Sequence, residues 1–380
     1  MPGYEVIGEE ERNATLKIFD EGGVLFHRSF ENKRKHFYVR EFNSKCQDYF
    51  NSTNCSAVSS GTAAIKCALK AAGIKPGDEV ITQAFNFIAC VEAILDVGAK
   101  PIICNVDENL HLDINDLKQK VTEKTKGVLA VHMLGLGGPI LELKEYCIKN
   151  SLVLLEDACE AIGGKVNGKH YGTIGDIGIF SFDFAKMITC GEGGLTLTNN
   201  DVFGTYIKQY IDHGHENNPN LERGHDNRVM PGFNYRMTEL QATIASVQLD
   251  KLEGLVEENK QRYMILKDSL ESIVHVRGEF ESHCGSYDTF IFKVNNIDTR
   301  ERVIAKLGQL GFGTKILPDA MEWHCSAYWG HALEETQVDH SKKTLEYLEK
   351  SVAIPIFVKN TLNDYRELAE SIFEILKIDE

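Results

Sequence analysis

Short apolar runs alternate with segments of helical spacing between about residue 55 and residue 200. Continuous apolar runs are typical of buried strands, whereas apolar positions three or four residues apart are typical of amphipathic helices. We expect helices over residues 61–72, 87–96, 114–121 and 141–149. We expect strands over residues 79–82, 101–106, 127–131, 152–155, 177–182 and 195–198.

This order of strands and helices predicts an α/β protein with a large, mostly parallel sheet that helices cover on both faces. In such sheets, ligands collect at the carboxyl ends of the strands. A long helical pattern over residues 238–266 leads into the C-terminal part of the chain. Because 380 residues exceed the usual size of one core, we expect a large domain over residues 1–254 and a smaller α/β domain over residues 255–380.

The composition argues against several classes of protein. The formal net charge of −15 argues against a general affinity for nucleic acid. The acidic N-terminus lacks the apolar segment of a signal peptide, and no apolar run approaches the ~20 residues that a membrane helix needs. The ten cysteines form no C-x-x-C pair, which favours free thiols in a reducing compartment. We therefore expect a cytoplasmic protein without a metal site.

A basic segment interrupts this acidic composition. Residues 27–40 read HRSFENKRKHFYVR and contain Arg28, Arg34 and Arg40 together with two lysines, against the single Glu31. Taken alone, this pattern favours a solvated basic surface. It becomes a candidate binding surface only if an anionic substrate binds nearby.

Two motifs could bind a phosphorylated ligand, although each also has a purely structural interpretation. Residues 59–73 read SSGTAAIKCALKAAG, and the serines and threonine could simply cap the predicted helix. The first turn of that helix could also hold a phosphate with its free N–H groups. Residues 152–164 read LVLLEDACEAIGG, where Asp157 could cap the next turn or, in a pyridoxal enzyme, pair with the pyridine nitrogen.

The most specific motif is GDIGIFSFDFAKMITCGEGGLTLTNN at residues 175–200. A lysine is ordinarily a solvated surface residue, but Lys186 lies between two apolar strands and beside a glycine-rich turn. We expect partial burial to lower its pKa, so that the free amine can form imines with carbonyl compounds. A phosphate cradle, a strand-end carboxylate and a partly buried amine together form a coherent set.

These segments, with NYRMTELQA at residues 234–242, resemble the DegT/DnrJ/StrS family of sugar aminotransferases. The string S-F-x-x-x-K-x-I-T-x-G-E-G-G is the most specific part of a resemblance that covers nearly the whole chain. It implies the aspartate-aminotransferase-like fold, which is fold type I of the enzymes that use pyridoxal 5'-phosphate. It also implies that Lys186 carries this cofactor as a Schiff base and acts as the catalytic residue.

The resemblance implies roles for the other site residues as well. Asp157 would hold the ring nitrogen, Phe87 would stack on the ring, and Asn234 would reach the phosphate from the partner subunit of a homodimer with shared active sites. The phosphate would be held by Ser60, Gly61, Thr62 and Ser181. The family usually has Gln or His where this chain has Glu160. That carboxylate could hold a substrate ammonium or raise the pKa of the cofactor imine.

Four segments resemble members of the family that aminate the C8 aldehyde of an oxidised octulosonate sugar with L-glutamate as donor. They are MPGYEVIGEEER, GVLFHRSF, DHGHENNPNLERG and FSFDFAKMITCGEGG. Both substrates carry carboxylates, which arginine binds in a bidentate manner, so Arg28 and Arg34 become candidate substrate contacts. His215, in the DHGHE loop that we expect to cover the sugar, and Tyr235 are further candidates.

Other functions remain as alternatives. A sugar dehydratase of the same family would carry His in place of Lys186, and a regulatory relative would not need Lys186, Asp157 and Ser181. A nicotinamide-dependent oxidoreductase should show G-x-G-x-x-G after its first strand, where this sequence has none. An aminotransferase that acts on a nucleotide-linked keto-sugar stays open.

Overall fold

The fold is built around a central seven-stranded sheet. The computed structural model describes residues 2–218, 220–278 and 282–378. The strands are β1 Asn54–Val58, β2 Glu79–Gln83, β3 Lys100–Cys104, β4 Thr125–Val131, β5 Val153–Asp157, β6 Lys165–Val166, β7 Lys169–His170, β8 Ile177–Ser181, β9 Gly194–Thr198, β10 His275–Val276, β11 His283–Cys284, β12 Thr289–Lys293 and β13 Ser351–Pro355. The large sheet has the order β1-β9-β8-β5-β4-β2-β3.

The expected mostly parallel sheet is confirmed. Strand β2 pairs in parallel with β3 and β4, and β5 pairs in parallel with β4 and β8. Strand β9 is antiparallel to both of its neighbours, β8 and β1. The carboxyl ends of β5 and β8 therefore lie side by side, which brings Asp157 and Ser181 to the same edge of the sheet.

Helices cover both faces of this sheet. They are α1 Pro2–Glu5, α2 Glu9–Asp20, α3 Tyr38–Phe50, α4 Gly61–Ala71, α5 Ala89–Asp96, α6 Ile114–Lys120, α7 Ile140–Lys149, α8 Asp201–Tyr210, α9 Glu239–Leu270, α10 Ile297–Gln309, α11 Met321–His324, α12 Glu335–His340, α13 Lys342–Leu348 and α14 Leu362–Lys377. Successive residues of β4 point to opposite cores, since Val128 and Ala130 belong to one and Leu129 and Val131 to the other.

The C-terminal part forms a smaller α/β unit. Strands β10, β12 and β13 form a three-stranded antiparallel sheet, and α9, α10 and α14 pack with it around a third core. Helix α9 runs without a break through residues 254 and 255, where we placed the domain boundary. Leu317 and Cys325 from this part belong to the core under the large sheet. The division into two domains stays a prediction.

Most of the expected elements occur within one or two residues of their predicted bounds. The helix expected from residue 87 begins at Ala89, because the preceding residues pair with a distant segment instead. Asn86 N–H donates to His324 O at 3.0 Å, and Ile88 N–H donates to Trp323 O at 3.3 Å. The strand expected over residues 101–106 ends at Cys104, where its pairing with β2 ends.

Within residues 54–210, the sequence did not predict β1, β6, β7 and α8, and no strand or helix was predicted before residue 54 or after α9. Strand β1, which pairs with β9, is short and mixes polar with apolar residues, so its sequence shows no clear periodicity. Helix α8 begins at an Asn200 cap, whose side chain accepts hydrogen bonds from the N–H groups of Val202 and Phe203. Among the described residues, no helix is long and apolar enough to cross a membrane. A cytoplasmic location stays a prediction.

Candidate active site

A cavity of about 500 Å³ opens at the carboxyl ends of β5 and β8. We call it the Lys186 cavity. Its lining includes Gly61, Asp157, Glu160, Ser181, Lys186 and Lys315. The structure therefore brings together the residues of all three motifs that the sequence analysis selected, and adds a lysine from the C-terminal part.

The N-terminus of α4 closes one side of the cavity. Ser60 caps this helix, since its Oγ accepts a hydrogen bond from the Ala63 N–H at 3.1 Å. A Cβ atom at Gly61 would lie 2.9 Å from the Cβ of Ser181, so only glycine allows the helix to approach the end of β8 this closely. The N–H groups at the start of a helix have no carbonyl partner one turn earlier, and the residues of this first turn line the cavity together with Ser181.

Asp157 is the last residue of β5 and is 4% exposed. Its Oδ1 accepts a hydrogen bond from the Cys159 N–H at 3.0 Å, and its Oδ2 accepts one from the Cys90 thiol at 3.4 Å. The carboxylate is thus fixed in orientation at the inner end of the cavity. Burial raises the pKa of both Cys90 and Cys159, so these neighbours stay neutral thiols.

Lys186 lies in an irregular turn between β8 and β9. The Asp183 side chain accepts a hydrogen bond from the Ala185 N–H at 2.9 Å, and the Lys186 N–H donates to Asp183 O at 3.0 Å. The following Met187 and Ile188 are buried in the core, which anchors the turn. The Lys186 side chain is 18% exposed, and its Nζ donates to Glu160 Oε1 at 3.0 Å.

The expected lowering of the Lys186 pKa is wrong. Burial does act to lower this pKa, but the adjacent Glu160 carboxylate outweighs burial and raises the pKa above its usual value. Burial would likewise raise the pKa of Glu160, yet Lys186, Lys315 and His324 lower it to about 2. Sequence reasoning treated the lysine as isolated, whereas the structure shows an ion pair.

The C-terminal part contributes residues that the sequence analysis did not select. Lys315 is 9% exposed and lines the cavity, while its Nζ pairs with Asp288 Oδ2 at 2.6 Å. His324 also lines the cavity, and burial lowers its pKa. Ile316 has a φ of 70°, and the Leu317 N–H donates to Lys315 O at 2.8 Å, which defines a tight turn. No pattern of apolar residues marks such a turn.

Phe87 lies in the cavity wall, as the stacking prediction requires, and its ring centroid is 5.4 Å from that of His324. Asn234 is exposed and is not among the residues that line the Lys186 cavity of its own chain. Tyr235 packs between Phe233 and Tyr210, and its carbonyl accepts a hydrogen bond from the Ser59 N–H at 2.9 Å. Their proposed contacts with phosphate and substrate stay predictions.

The basic segment lies elsewhere, beside a second cavity of about 1140 Å³ that we call the arginine cavity. Its basic lining residues are His27, Arg28, Arg40, Lys208, Arg223 and Arg236. Arg28 pairs with Asp226 at 2.9 Å, and His215 Nδ1 lies 3.5 Å from the same carboxylate. Arg34 is buried against Glu239. Within one chain, the substrate contacts predicted for Arg28, Arg34 and His215 are therefore not near Lys186.

The residues of the Lys186 cavity fit pyridoxal phosphate. A helix N-terminus with Gly61 and Ser181 suits a phosphate, a fixed carboxylate suits a pyridinium nitrogen, and an amine suits an aldehyde. Each of these groups lines the same cavity. In the described part of the chain, no group of three or more His, Cys, Asp or Glu side chains is placed to hold a metal ion.

Comparisons with known proteins agree with this chemistry. The DegT/DnrJ/EryC1/StrS aminotransferase family matches residues 31–373. A GDP-perosamine synthase of Vibrio cholerae is 33% identical over 69% of this chain and 76% of its own length.

Solved structures show the same fold. An aminotransferase from Psychrobacter cryohalolentis superposes with a TM-score of 0.86 at 22% identity, over 98% of each chain. A structure from Streptococcus pneumoniae, described as a sugar aminotransferase in its PLP form, superposes with a TM-score of 0.82 at 21% identity, over 98% of this chain and 97% of its own. The fold is that of the type I pyridoxal enzymes, and the chain belongs to the DegT/DnrJ/EryC1/StrS family as a pyridoxal-phosphate-dependent aminotransferase.

Proposed function

We propose that this enzyme moves an amino group from L-glutamate to an oxidised sugar, and that the acceptor is the C8 aldehyde of 3,8-dideoxy-8-oxo-manno-octulosonate. Lys186 attaches the cofactor covalently through its Nζ. The observation that carries the proposal is the placement of this amine beside Glu160, in a cavity that also contains Asp157 and the N-terminus of α4.

The residues of the chain have distinct tasks in this reaction. Pyridoxal phosphate, when bound, takes up the amino group and acts as an electron sink for the substrate carbon. The Asp157 carboxylate orients the ring and favours a proton on its nitrogen. Ser181 and the first turn of α4 hold the phosphate. The released Lys186 Nζ moves a proton to and from the reacting carbon as a general acid and base.

The choice of acceptor rests on the four segments that resemble the octulosonate aminotransferases. In the structure, the first segment contacts the fourth, and the second contacts the third. The first and fourth segments are in close contact, since a Cβ atom at Gly3 would lie 2.6 Å from Lys186 O. The Tyr4 and Phe184 rings also stack, with 5.0 Å between their centroids. The second and third segments meet where His27 Nε2 lies 3.8 Å from Asp212 Oδ2 and where Arg28 Nη1 donates to Asn217 Oδ1 at 2.9 Å. The segments that carry the likeness are thus structurally linked and not scattered over the surface.

A homodimer with shared active sites is part of the proposal. Asn234 is exposed and does not line the cavity of its own chain, so its predicted phosphate contact would be made in the cavity of a second copy of the chain. The same arrangement would let Arg28 or Arg40 from the arginine cavity approach a substrate carboxylate in the partner's site.

A half-reaction screen tests the proposed function. L-glutamate, added alone to the purified holoenzyme, should remove the long-wavelength absorption band of the bound cofactor. Adding the octulosonate aldehyde should then restore the band within one turnover. Restoration by 2-oxoglutarate only, and not by the sugar aldehyde, would contradict the proposed acceptor while leaving the aminotransferase chemistry intact.

A nucleotide-linked keto-sugar is the second candidate acceptor, because a GDP-perosamine synthase is 33% identical over 69% of the chain. The same screen separates the two candidates. Under the main proposal, a GDP-linked 4-keto-sugar should restore the absorption band much more slowly than the octulosonate aldehyde does. The reverse order of rates would favour the second candidate.

A further inference from the structure

Glu160 occupies a position where a carboxylate directly contacts the Lys186 amine. Its Oε1 accepts a hydrogen bond from Lys186 Nζ at 3.0 Å, and its Oε2 accepts one from the Leu134 N–H at 3.2 Å. The Glu160 carbonyl also accepts a hydrogen bond from the Gly135 N–H at 2.8 Å. Because both its carboxylate oxygens and its backbone are engaged, Glu160 is a fixed group rather than a mobile surface carboxylate.

The other charged groups around this pair leave Lys186 as the cation that Glu160 holds. The Lys315 ammonium is already paired with Asp288 at 2.6 Å. Burial lowers the pKa of His324, and its Nδ1 donates to Ala320 O at 2.9 Å, so the ring is neutral at neutral pH. The titratable and charged groups that interact with the pair from the surrounding elements are Cys90, Asp157, Cys159, Arg277, Lys315 and His324.

We propose that Glu160 is a positioning residue that holds the Lys186 amine in the cavity by accepting its hydrogen bond, and that stabilises the protonated form of this amine, when the amine is not attached to the cofactor. The proposal rests on the covalent role of Lys186 proposed above. It gives Glu160 a role different from the two that the sequence left open, since the carboxylate points at the enzyme's own lysine.

This arrangement has two consequences for the enzyme. A lysine side chain released from the cofactor has four rotatable carbon–carbon bonds, and the ion pair keeps it near the reacting carbon rather than in solvent. The same ion pair stabilises the protonated amine, so the free amine that attacks an aldehyde is less abundant at neutral pH. Glu160 thus favours the form of Lys186 that still carries the proton to be delivered to the reacting carbon.

The reactivity of Lys186 in the cofactor-free protein tests the proposal without reference to turnover. Competitive acetylation with a trace of acetic anhydride, read by peptide mass spectrometry over a series of pH values, gives the midpoint at which each amine becomes reactive. In Glu160→Gln, we expect the Lys186 midpoint to fall by at least about one pH unit, which raises its labelling at neutral pH by about tenfold. Glu192→Gln, which alters an exposed carboxylate that lines the same cavity, should leave the midpoint unchanged.

A midpoint in Glu160→Gln equal to that of the wild type would overturn the proposal, because a merely structural role would change the folding of the protein and not this midpoint. If the variant does not fold, the same labelling of the wild-type protein provides the test. Lys186 must then titrate above the exposed Lys169 in the same sample, and a lower midpoint would overturn the proposal. Neither result depends on which lysine binds the cofactor, which borohydride mapping of the holoenzyme determines separately.

Discussion

The Lys186 cavity and the arginine cavity both contain cations, yet they differ in what those cations contact. In the first, Lys186 pairs with Glu160 inside a compact space at the ends of parallel strands, beside Asp157 and a helix N-terminus. In the second, Arg28 and Arg236 are engaged by Asp226 and Asp212 on loops beside the edge strand β1. Lys186 thus belongs to a chemical site, whereas Arg28 and Arg34 of the basic segment are neutralised by carboxylates of their own chain.

The largest expected effect tests the chemical role of the Lys186 cavity directly. Lys186→Ala should lower turnover by more than about 10⁴-fold, beyond the range of a simple acid–base group, because the residue also attaches the cofactor. Lys169→Ala, which changes an exposed lysine, should keep wild-type turnover. Steady-state kinetics with glutamate and a sugar aldehyde measure both variants. Turnover within about tenfold of wild type in Lys186→Ala would remove the chemical distinction between the cavities.

The next effect concerns stability rather than turnover. Arg34 is 3% exposed at its side chain and pairs with the fully buried Glu239. Arg34→Ala should lower the free energy of unfolding by about 3–5 kcal/mol, because Glu239 is left buried without its partner. Urea denaturation measures the change, and the Arg34→Ala/Glu239→Gln double variant should recover part of it. The exposed Arg12→Ala should change the free energy by less than about 0.5 kcal/mol.

A smaller effect on the rate is expected when Asp157, which lines the Lys186 cavity, is replaced. Asp157→Asn should keep the cofactor bound but lower the rate by about 10²–10³-fold, the usual effect of losing one electrostatic contact in an active site. The cofactor content is measured by absorbance and the rate by the glutamate half-reaction. A variant with full cofactor content and a nearly normal rate would contradict the pairing of Asp157 with the ring nitrogen.

The smallest effect tests whether the arginine cavity serves the substrate at all. Among the described residues, no carboxylate lies within ion-pair distance of Arg40, which instead stacks on the Phe37 ring at 4.1 Å. Arg40→Ala should weaken binding of the acidic sugar by about ten- to a hundredfold, the value of one charged hydrogen bond. The exposed Arg366→Ala is the control. Wild-type KM values for both substrates in the alanine variants of Arg28, Arg34 and Arg40 would exclude this role.

The comparison also explains what could be predicted from the sequence. Asp157 and Ser181 are the last residues of β5 and β8, and the parallel arrangement of these strands brings them together. Gly61 begins a helix and Lys186 lies in the turn after β8, and both line the same cavity. The ionic partners could not be predicted in this way, because Arg28 and Asp226 are 198 residues apart and no periodic pattern relates them.

Two further features escaped prediction for similar reasons. Lys315 follows no regular element and reaches the cavity through the tight turn at Ile316. The raised pKa of Lys186 depends on the fold of the turn after β5, which places Glu160 opposite the lysine. Sequence patterns therefore predicted which residues meet at the sheet edge, but not how their charges are balanced.

The central claim is that Lys186 carries the cofactor, and reduction of the holoenzyme with borohydride tests it most directly. Borohydride reduces an imine between the cofactor and a lysine to a stable secondary amine, which peptide mass spectrometry locates. We expect the phosphopyridoxyl label on the peptide that contains Lys186, at close to one label per chain. A label on Lys315 or on any other lysine, or a colourless and unlabelled protein after reconstitution, would contradict the account.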